Sequence, residues 1–253
     1  ATEEEKKAKE KASEPQAGGH LETAAEEQHA EENTDKKIQD KEAKLAAIEP
    51  GMNRLQWDLR YPYATEITGY HTPIAAGGLE DSVEGPVVVP GTYTVVLDYG
   101  GQKTQQNLTV ALDPRLHATK EDLQARLELD LKIHADLDAL DKDVNRALAA
   151  RDKLQKAVAA KSGTEGQAGG VLAALTRDID SVAQMAMKAS EGGLLHPTKL
   201  RDHLAYLASD IDLSYGRPTA AHDAVFRELD QQAKQGEQKL ETDIAAADKM
   251  SAH

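Results

Sequence analysis

The sequence predicts a segregated α+β chain, with a small antiparallel β-module followed by a long antiparallel α-helical bundle. Three observations predict it. Asn53, Leu55, Trp57, Leu59 and Tyr61 fall at every second position between Arg54, Gln56, Asp58 and Arg60, the alternation of a strand with one buried face. Pro90-Gly91 and Gly100-Gly101 bracket a second alternating run, 92–98, as turn residues should. From His117 onward, leucine and valine recur three or four apart, which is the helical period. The chain thus divides into a charged linker over 1–49, partly helical or disordered, a β-module over 50–115 and a helical bundle over 116–253.

Composition agrees with a helix-rich core. Only 4% of the 253 residues are aromatic and 40% are hydrophobic, so the core has to be built from aliphatic side chains. A net charge of −14 argues against nucleic acid, because phosphates need a basic surface. Acids and bases are interleaved, the pattern of solvated helix surface. No apolar run approaches the length of a spanning helix, which argues against membrane insertion. The chain has no cysteine, a composition compatible with cytosol, periplasm or secretion alike. Ala1-Thr2-Glu3 reads as a cut, either a mature terminus or a fragment of something longer.

Within 1–49, Ala, Glu and Lys favour helix, but Leu21, Ile38, Leu45 and Ile48 are too sparse to give a buried stripe. Pro50 ends the segment. The strand 53–61 follows, with Trp57 and Leu59 as anchors of a small sheet core and Trp57 packing on Tyr93 and Val95. Residues 62–84 lack a period and carry Gly69, Pro73, Gly77 and Gly78, so they read as a long loop. Pro90-Gly91 suits the centre of a type II turn. Tyr93, Val95 and Leu97 share one strand face, Gly100-Gly101 makes a tight hairpin, and Leu108, Val110 and Leu112 return on the apolar side.

Thr119 and Asp122 have capping-box spacing. The helix they open carries Leu123, Leu127, Leu131, Leu137, Leu140, Val144, Leu148, Leu154 and Val158 to about Lys161, roughly 60 Å. Glycines at 163, 166, 169 and 170 break it. A second helix carries Val171, Leu172, Leu175, Ile179, Val182 and Met185 and stops at Gly192-Gly193. A third begins at Pro197, and a fourth carries Val225, Leu229, Leu240 and Ile244. Together the second and third match the first in length, so the simplest layout is one helix up, a broken leg down and the last helix up. A compact four-helix bundle is the competing layout.

No residue pattern points to a catalytic, cofactor or metal site. His196 and His203 are seven apart, and the chain contains no His-x-x-x-His pair of the kind one-helix zinc sites need. Asp58 and Arg60 lie on one strand face without a second acid or nucleophile placed beside them. Asn107-Leu108-Thr109 fits a glycosylation pattern that is common by chance. The glycine pairs are turn residues rather than phosphate loops. Aliphatic stripes read as bundle core, and any uncovered part of a stripe would serve a homo-oligomer through the helices or dock another domain.

Two segments carry more than generic pattern. The run 51–62, Gly-Met-Asn-Arg-Leu-Gln-Trp-Asp-Leu-Arg-Tyr-Pro, with Gly85-Pro86 and Pro90-Gly91-Thr92-Tyr93, resembles an Ig-like module such as that of flagellar hook-capping proteins. A fuller match, through Asp113-Pro114-Arg115, the helix opening at 118–125, His196-Pro197-Thr198-Lys199-Leu200, Gly216-Arg217-Pro218-Thr219 and Val225-Phe226-Arg227-Glu228-Leu229, resembles the C-terminal region of exported bacterial sortilin-like β-propeller proteins. Those proteins carry neuraminidase-type repeats and the label glycosyl hydrolase. The resemblance covers roughly 50–245 in matching order. It implies export, a β-propeller N-terminal to this region in the same parent protein, and an Ig-like module with strands ahead of a linker like 1–49, so that the module here is incomplete. It also implies that any glycosidase chemistry belongs to the propeller. No Ser-x-Asp-x-Gly-x-x-Trp box occurs in this chain, and its charged linker departs from the Pro-rich one expected. The expected function is therefore a non-catalytic accessory region supporting domain packing or protein–protein interaction, with no cofactor. One alternative is a share in a glycoside hydrolase's cleft, with Tyr61, Tyr63, Tyr70 and His71 contacting sugar; another is a self-assembling helical scaffold.

Overall fold

The computed structural model describes residues 51–70, 84–160, 165–185 and 196–251. The linker over 1–49, His71, the Gly77-Gly78 turn, Gly163 and the stop at Gly192-Gly193 lie outside the described residues, whereas Gly166, Gly169 and Gly170, expected to break the helical run, lie inside a helix that spans Glu165–Val182. Those described form a two-stranded antiparallel sheet and four helices, all within the unit Glu49–His253.

Strands β1 (Gly91–Tyr99) and β2 (Gln102–Val110) pair from Gly91 opposite Val110 to Tyr99 opposite Gln102. Between them Gly100 and Gly101 have φ of 58° and 81°, the two positive values that a type I′ turn demands. Gly91 is not in the left-handed region, so the expected type II turn at Pro90-Gly91 does not form, and Gly91 simply starts β1.

Residues 53–61 do not form the expected strand. Their only pairing is an isolated bridge, Arg60 to Val87, made by Tyr61 N–H to Pro86 O (3.0 Å) and Val88 N–H to Leu59 O (2.8 Å). The cause is local. Asp58 Oδ1 accepts the Arg60 N–H at 3.0 Å, Trp57 Nε1 donates to the Arg60 carbonyl at 3.0 Å, and Leu59 between them has φ of 65°. A β-strand cannot continue through that conformation, and the period-two alternation is broken there. Trp57 does meet Tyr93, edge to face with ring centroids 5.4 Å apart. The expected buried anchors are nevertheless open to solvent: Trp57 is 38% exposed, Leu59 36% and Val95 49%. Tyr93 is half-buried, its hydroxyl donating to the Val89 carbonyl at 2.5 Å.

Helix α1 spans Lys120–Ala160. Its capping box is closed, with Asp122 N–H donating to Thr119 Oγ1 (3.1 Å) and Thr119 N–H to Asp122 Oδ2 (3.3 Å). Helices α2 (Glu165–Val182), α3 (Leu200–Leu213) and α4 (Ala220–Ser251) follow. Pro197 lies three residues ahead of α3 rather than in its first turn, where Asp202 Oδ2 instead accepts the Lys199 N–H at 2.8 Å. The four helices share one core, in which Ile133, Leu137, Leu140, Val144 and Leu154 of α1 meet Leu175, Ile179, Leu204, Ile211 and Leu240.

Ion pairs fix the helix directions. Asp122–Arg217, Arg146–Glu241 and Lys153–Asp248 all join residues 95 apart, so α1 and α4 run the same way in constant register. Arg201 meets Asp141 while Ser214 meets Arg126, so α3 runs against α1. In α2, Val182 faces Gly236 and Asp178 faces Asp243, so α2 runs against α4. At Gly236 a Cβ would fall 2.8 Å from Val182 Cγ1, on a β-branched side chain with little freedom to turn away.

Two glycine substitutions should therefore act in opposite directions. Gly236→Leu should lower the unfolding free energy by about 1–3 kcal/mol through overpacking. Gly169→Ala, in α2 with nothing within 4 Å of the added carbon, should raise it by up to about 1 kcal/mol through helix propensity. Urea unfolding followed by circular dichroism reads both.

Candidate functional site

Residues 60–70, ahead of the hairpin in the chain, lie against α1 and α3, held largely by side chains that those helices supply. Arg60 is the first hold. Its Nη2 contacts Asp212 Oδ2 at 2.8 Å, its Nε contacts Glu84 Oε2 at 3.2 Å, and its Nη1 donates to the Gly85 carbonyl at 3.0 Å. Asp138 is the second, one oxygen accepting both the N–H and the hydroxyl of Thr65 at 2.8 Å. Asn145 is the third, accepting the Thr68 N–H at 2.9 Å and donating to the Glu66 carbonyl at 2.8 Å. That side-chain amide does for the backbone what a neighbouring strand would do. Ala64 and Ile67 are buried in the helical core between these holds.

The segment ends on a polar cluster inside the fold. Tyr70 donates its hydroxyl to Asp202 Oδ1, and the Arg201 guanidinium lies 4.2 Å from the centre of the Tyr70 ring, a cation–π contact in a desolvated place. Arg201 Nε sits 3.3 Å from both oxygens of Asp141, whose side chain is 0% exposed against 4% for Arg201. Burial pushes the Asp141 carboxyl up to about 7 against the opposing pull of Arg201. Burial likewise raises the Tyr70 phenol. With Asp141 closed to solvent, the chemistry open to this cluster is mutual: it holds α1, α3 and residues 60–70 in one arrangement.

A second charged group stands at the other end of α3. Arg126 Nη1 donates to the Ser214 carbonyl at 3.1 Å and Nη2 reaches the Val87 carbonyl at 3.5 Å. Asp130 beside it is buried, and burial together with the Asp212 charge pushes its carboxyl up to about 7, opposed by Arg126 and Arg60. Between α3 and α4 an open groove of about 550 Å³ is lined by His203, Tyr206, Leu207, Asp210, Val225 and Leu229, among others.

The expected sugar-contacting residues have separate surroundings. Tyr61 is half-buried beside the Arg60–Val87 bridge. Tyr63 is 40% exposed and donates to Glu84 at 3.3 Å. Tyr70 is turned into the helices, and His71 lies outside the described residues. Among the described residues no cluster of acids or histidines is arranged to hold a metal ion, and no helix is long and apolar enough to cross a membrane. Sequence reasoning missed Arg126, Asp130, Asp141, Arg201 and Asp202. A signal was present: Asp130 and Asp141 occupy positions in the stripe Leu123, Leu127, Ile133, Leu137, Leu140, Val144, and a carboxylate there must be buried.

Removing one member of the buried pair should cost more than removing both. Arg201→Ala is expected to lower the unfolding free energy by about 3–5 kcal/mol, and the double change Asp141→Leu with Arg201→Met to recover most of it. Asp130 supplies a pH test. Its folded-state pKa is raised, so the stability tied to its protonated form is complete below about pH 4 and is lost as pH rises through about 7. Asp130→Asn should unfold at a higher urea concentration than the parent at ~pH 8, with the gap narrowing at ~pH 5.

No family model matches this chain, and neither a curated protein nor a solved structure matches it.

Proposed function

We propose that this chain is a non-catalytic accessory region of an exported β-propeller protein, supporting domain packing or protein–protein interaction. The observation that carries the reading is a contrast within the fold. The helices have buried most of their apolar stripes and tied residues 60–70 to themselves, while the hairpin holds Val95, Leu97, Tyr99 and Leu108 out in solvent. Large side chains exposed together on a folded surface mark an interaction site. On this reading the helices form an antiparallel bundle and the hairpin belongs to an Ig-like module completed by other strands. The ordered resemblance over residues 50–245 supports both parts and points to an N-terminal propeller as the neighbour.

A second reading has one specific observation in its favour. Tyr63 presents an exposed ring beside Glu84, and an aromatic face next to a carboxylate suits a sugar. Two assays decide between the readings. The purified chain, incubated with nitrophenyl glycosides and sialosides, is expected to release no chromophore above a buffer blank, and a glycan array is expected to stay flat. Enzyme-like turnover would sink the accessory reading. Array binding lost on Tyr63→Ala would move the function to carbohydrate contact.

A further inference from the structure

The residues that lead into the hairpin are joined to the helices by two arginines. Residues 84–88 lie along 59–62, with Tyr61 N–H on the Pro86 carbonyl and Val88 N–H on the Leu59 carbonyl. The approach is so close that a Cβ on Gly85 would fall 2.0 Å from the Tyr61 carbonyl oxygen. Arg60 ties this joint to α3 through Asp212 Oδ2 at 2.8 Å. Arg126 ties it to α1, and its grip is loose. It reaches the Val87 and Asp212 carbonyls at 3.5 Å each and the Ser214 carbonyl at 3.1 Å, and hydrogen bonds weaken at the longer of these distances. Its Nε is shut from solvent and has no hydrogen-bond partner among the described residues. Asp130 stands one turn further along α1, on the same helix face, with 4% of its surface exposed against 5% for Arg126. A buried guanidinium with an idle donor thus lies beside a buried carboxyl.

We propose that Asp130 is a proton-controlled release for this joint: protonated, it leaves Arg126 on the Val87 carbonyl, and ionised, it draws Arg126 away and loosens residues 84–88, with the hairpin behind them, from the helices. The proton passes to solvent, and the idle Nε–H of Arg126 is the donor that meets the carboxylate. Guanidinium and carboxylate make a short bond with full charge on both sides, against which a carbonyl at 3.5 Å does not compete. The same ionisation sets Asp130 against Asp212, the partner of Arg60, and so acts on both arginines. The groups that face Asp130 fix the direction. Arg126 comes from α1, Asp212 from the end of α3 and Arg60 from the joint, with Glu84 and Asp58 behind Arg60. His134 follows one turn later in α1, and the Asp122–Arg217 pair lies one turn before Arg126. In the register of 95 residues α4 comes level at Val225, an uncharged residue. Burial and Asp212 outweigh the two arginines and hold the carboxyl up at about 7. The closed joint therefore has its full proton-linked support in acid and loses it as pH rises through about 7.

Amide exchange on the whole chain tests this, with rates corrected for the intrinsic effect of pH. Protection at Tyr61 and Val88 is expected to fall about tenfold between about pH 6 and about pH 8, the change that follows when opening releases a proton from a carboxyl at about 7. It should lie below the protection of Leu137 in the core, the mark of a local opening rather than global unfolding. In nitrogen-15 spectra the Arg126 Nε–H resonance should move with a midpoint at about 7. Asp130→Asn, which stays neutral, should keep the acid-form protection and a fixed Arg126 resonance across the same range. Three results would each overturn the inference: protection at Tyr61 and Val88 that is constant with pH or equal to that of Leu137, an Arg126 resonance that does not titrate, or a pH dependence that survives in Asp130→Asn and so belongs to another group such as His134. The first two are read on the parent chain and decide even where the variant fails to fold.

Discussion

A guanidinium inside a helical core must be satisfied on every side, and Arg201 is where that requirement shapes this protein. Its charge is met by Asp141 from α1, its flat face lies over Tyr70, and Asp202 beside it takes the Tyr70 hydroxyl. Three segments distant in sequence are thus fixed by one side chain. Any other register of α3 along α1 would take Arg201 from Asp141 and leave a buried charge unpaired, which is strongly destabilising. The same logic runs through Arg60 and Arg126 at the other end of α3, where Asp212 and the Ser214 and Val87 carbonyls receive the donors.

This arrangement gives residues 60–70 a role closer to a helix-packing element than to a sheet strand. They contribute Ala64 and Ile67 to the core and satisfy their backbone through Asp138 and Asn145. The hairpin follows as a separate statement in the same chain. It meets Trp57 through Tyr93, and the Arg60–Val87 bridge lies just ahead of it in the chain.

Much of the helical part was legible because its signals are local. Thr119 and Asp122 mark the start of α1 through a capping box that needs only three residues of spacing, and Gly100-Gly101 marks the hairpin through φ values that glycine alone adopts freely. The presence of four helices was legible from the three-to-four spacing of leucine and valine. The failures came where side-chain bonds rather than periodicity decided. Residues 53–61 alternate as a strand does, but Asp58 and Trp57 bind the Arg60 backbone and the chain bends at Leu59 between them. Likewise Leu131 was placed in the α1 stripe, yet Ile133 is the residue fully buried there and Leu131 is only half-buried. Of the expected site residues, Tyr70 was read as a surface aromatic. Nothing near it in sequence announces Arg201.

The constant separation of 95 residues between α1 and α4 has a consequence in time. Parallel neighbours cannot be joined by a short turn, so α1, the longest element, emerges from the ribosome long before its main partner exists. At synthesis rates of about 5–20 residues per second, that gap is roughly 5–20 s. During it the stripe from Leu123 to Leu154 has residues 60–70, made earlier, and then α2 and α3 to lie against. Assembly of this chain is therefore governed by loop closure over its whole C-terminal half, and the order in which the legs arrive makes α3, with Arg201, the element that secures α1 until α4 is complete.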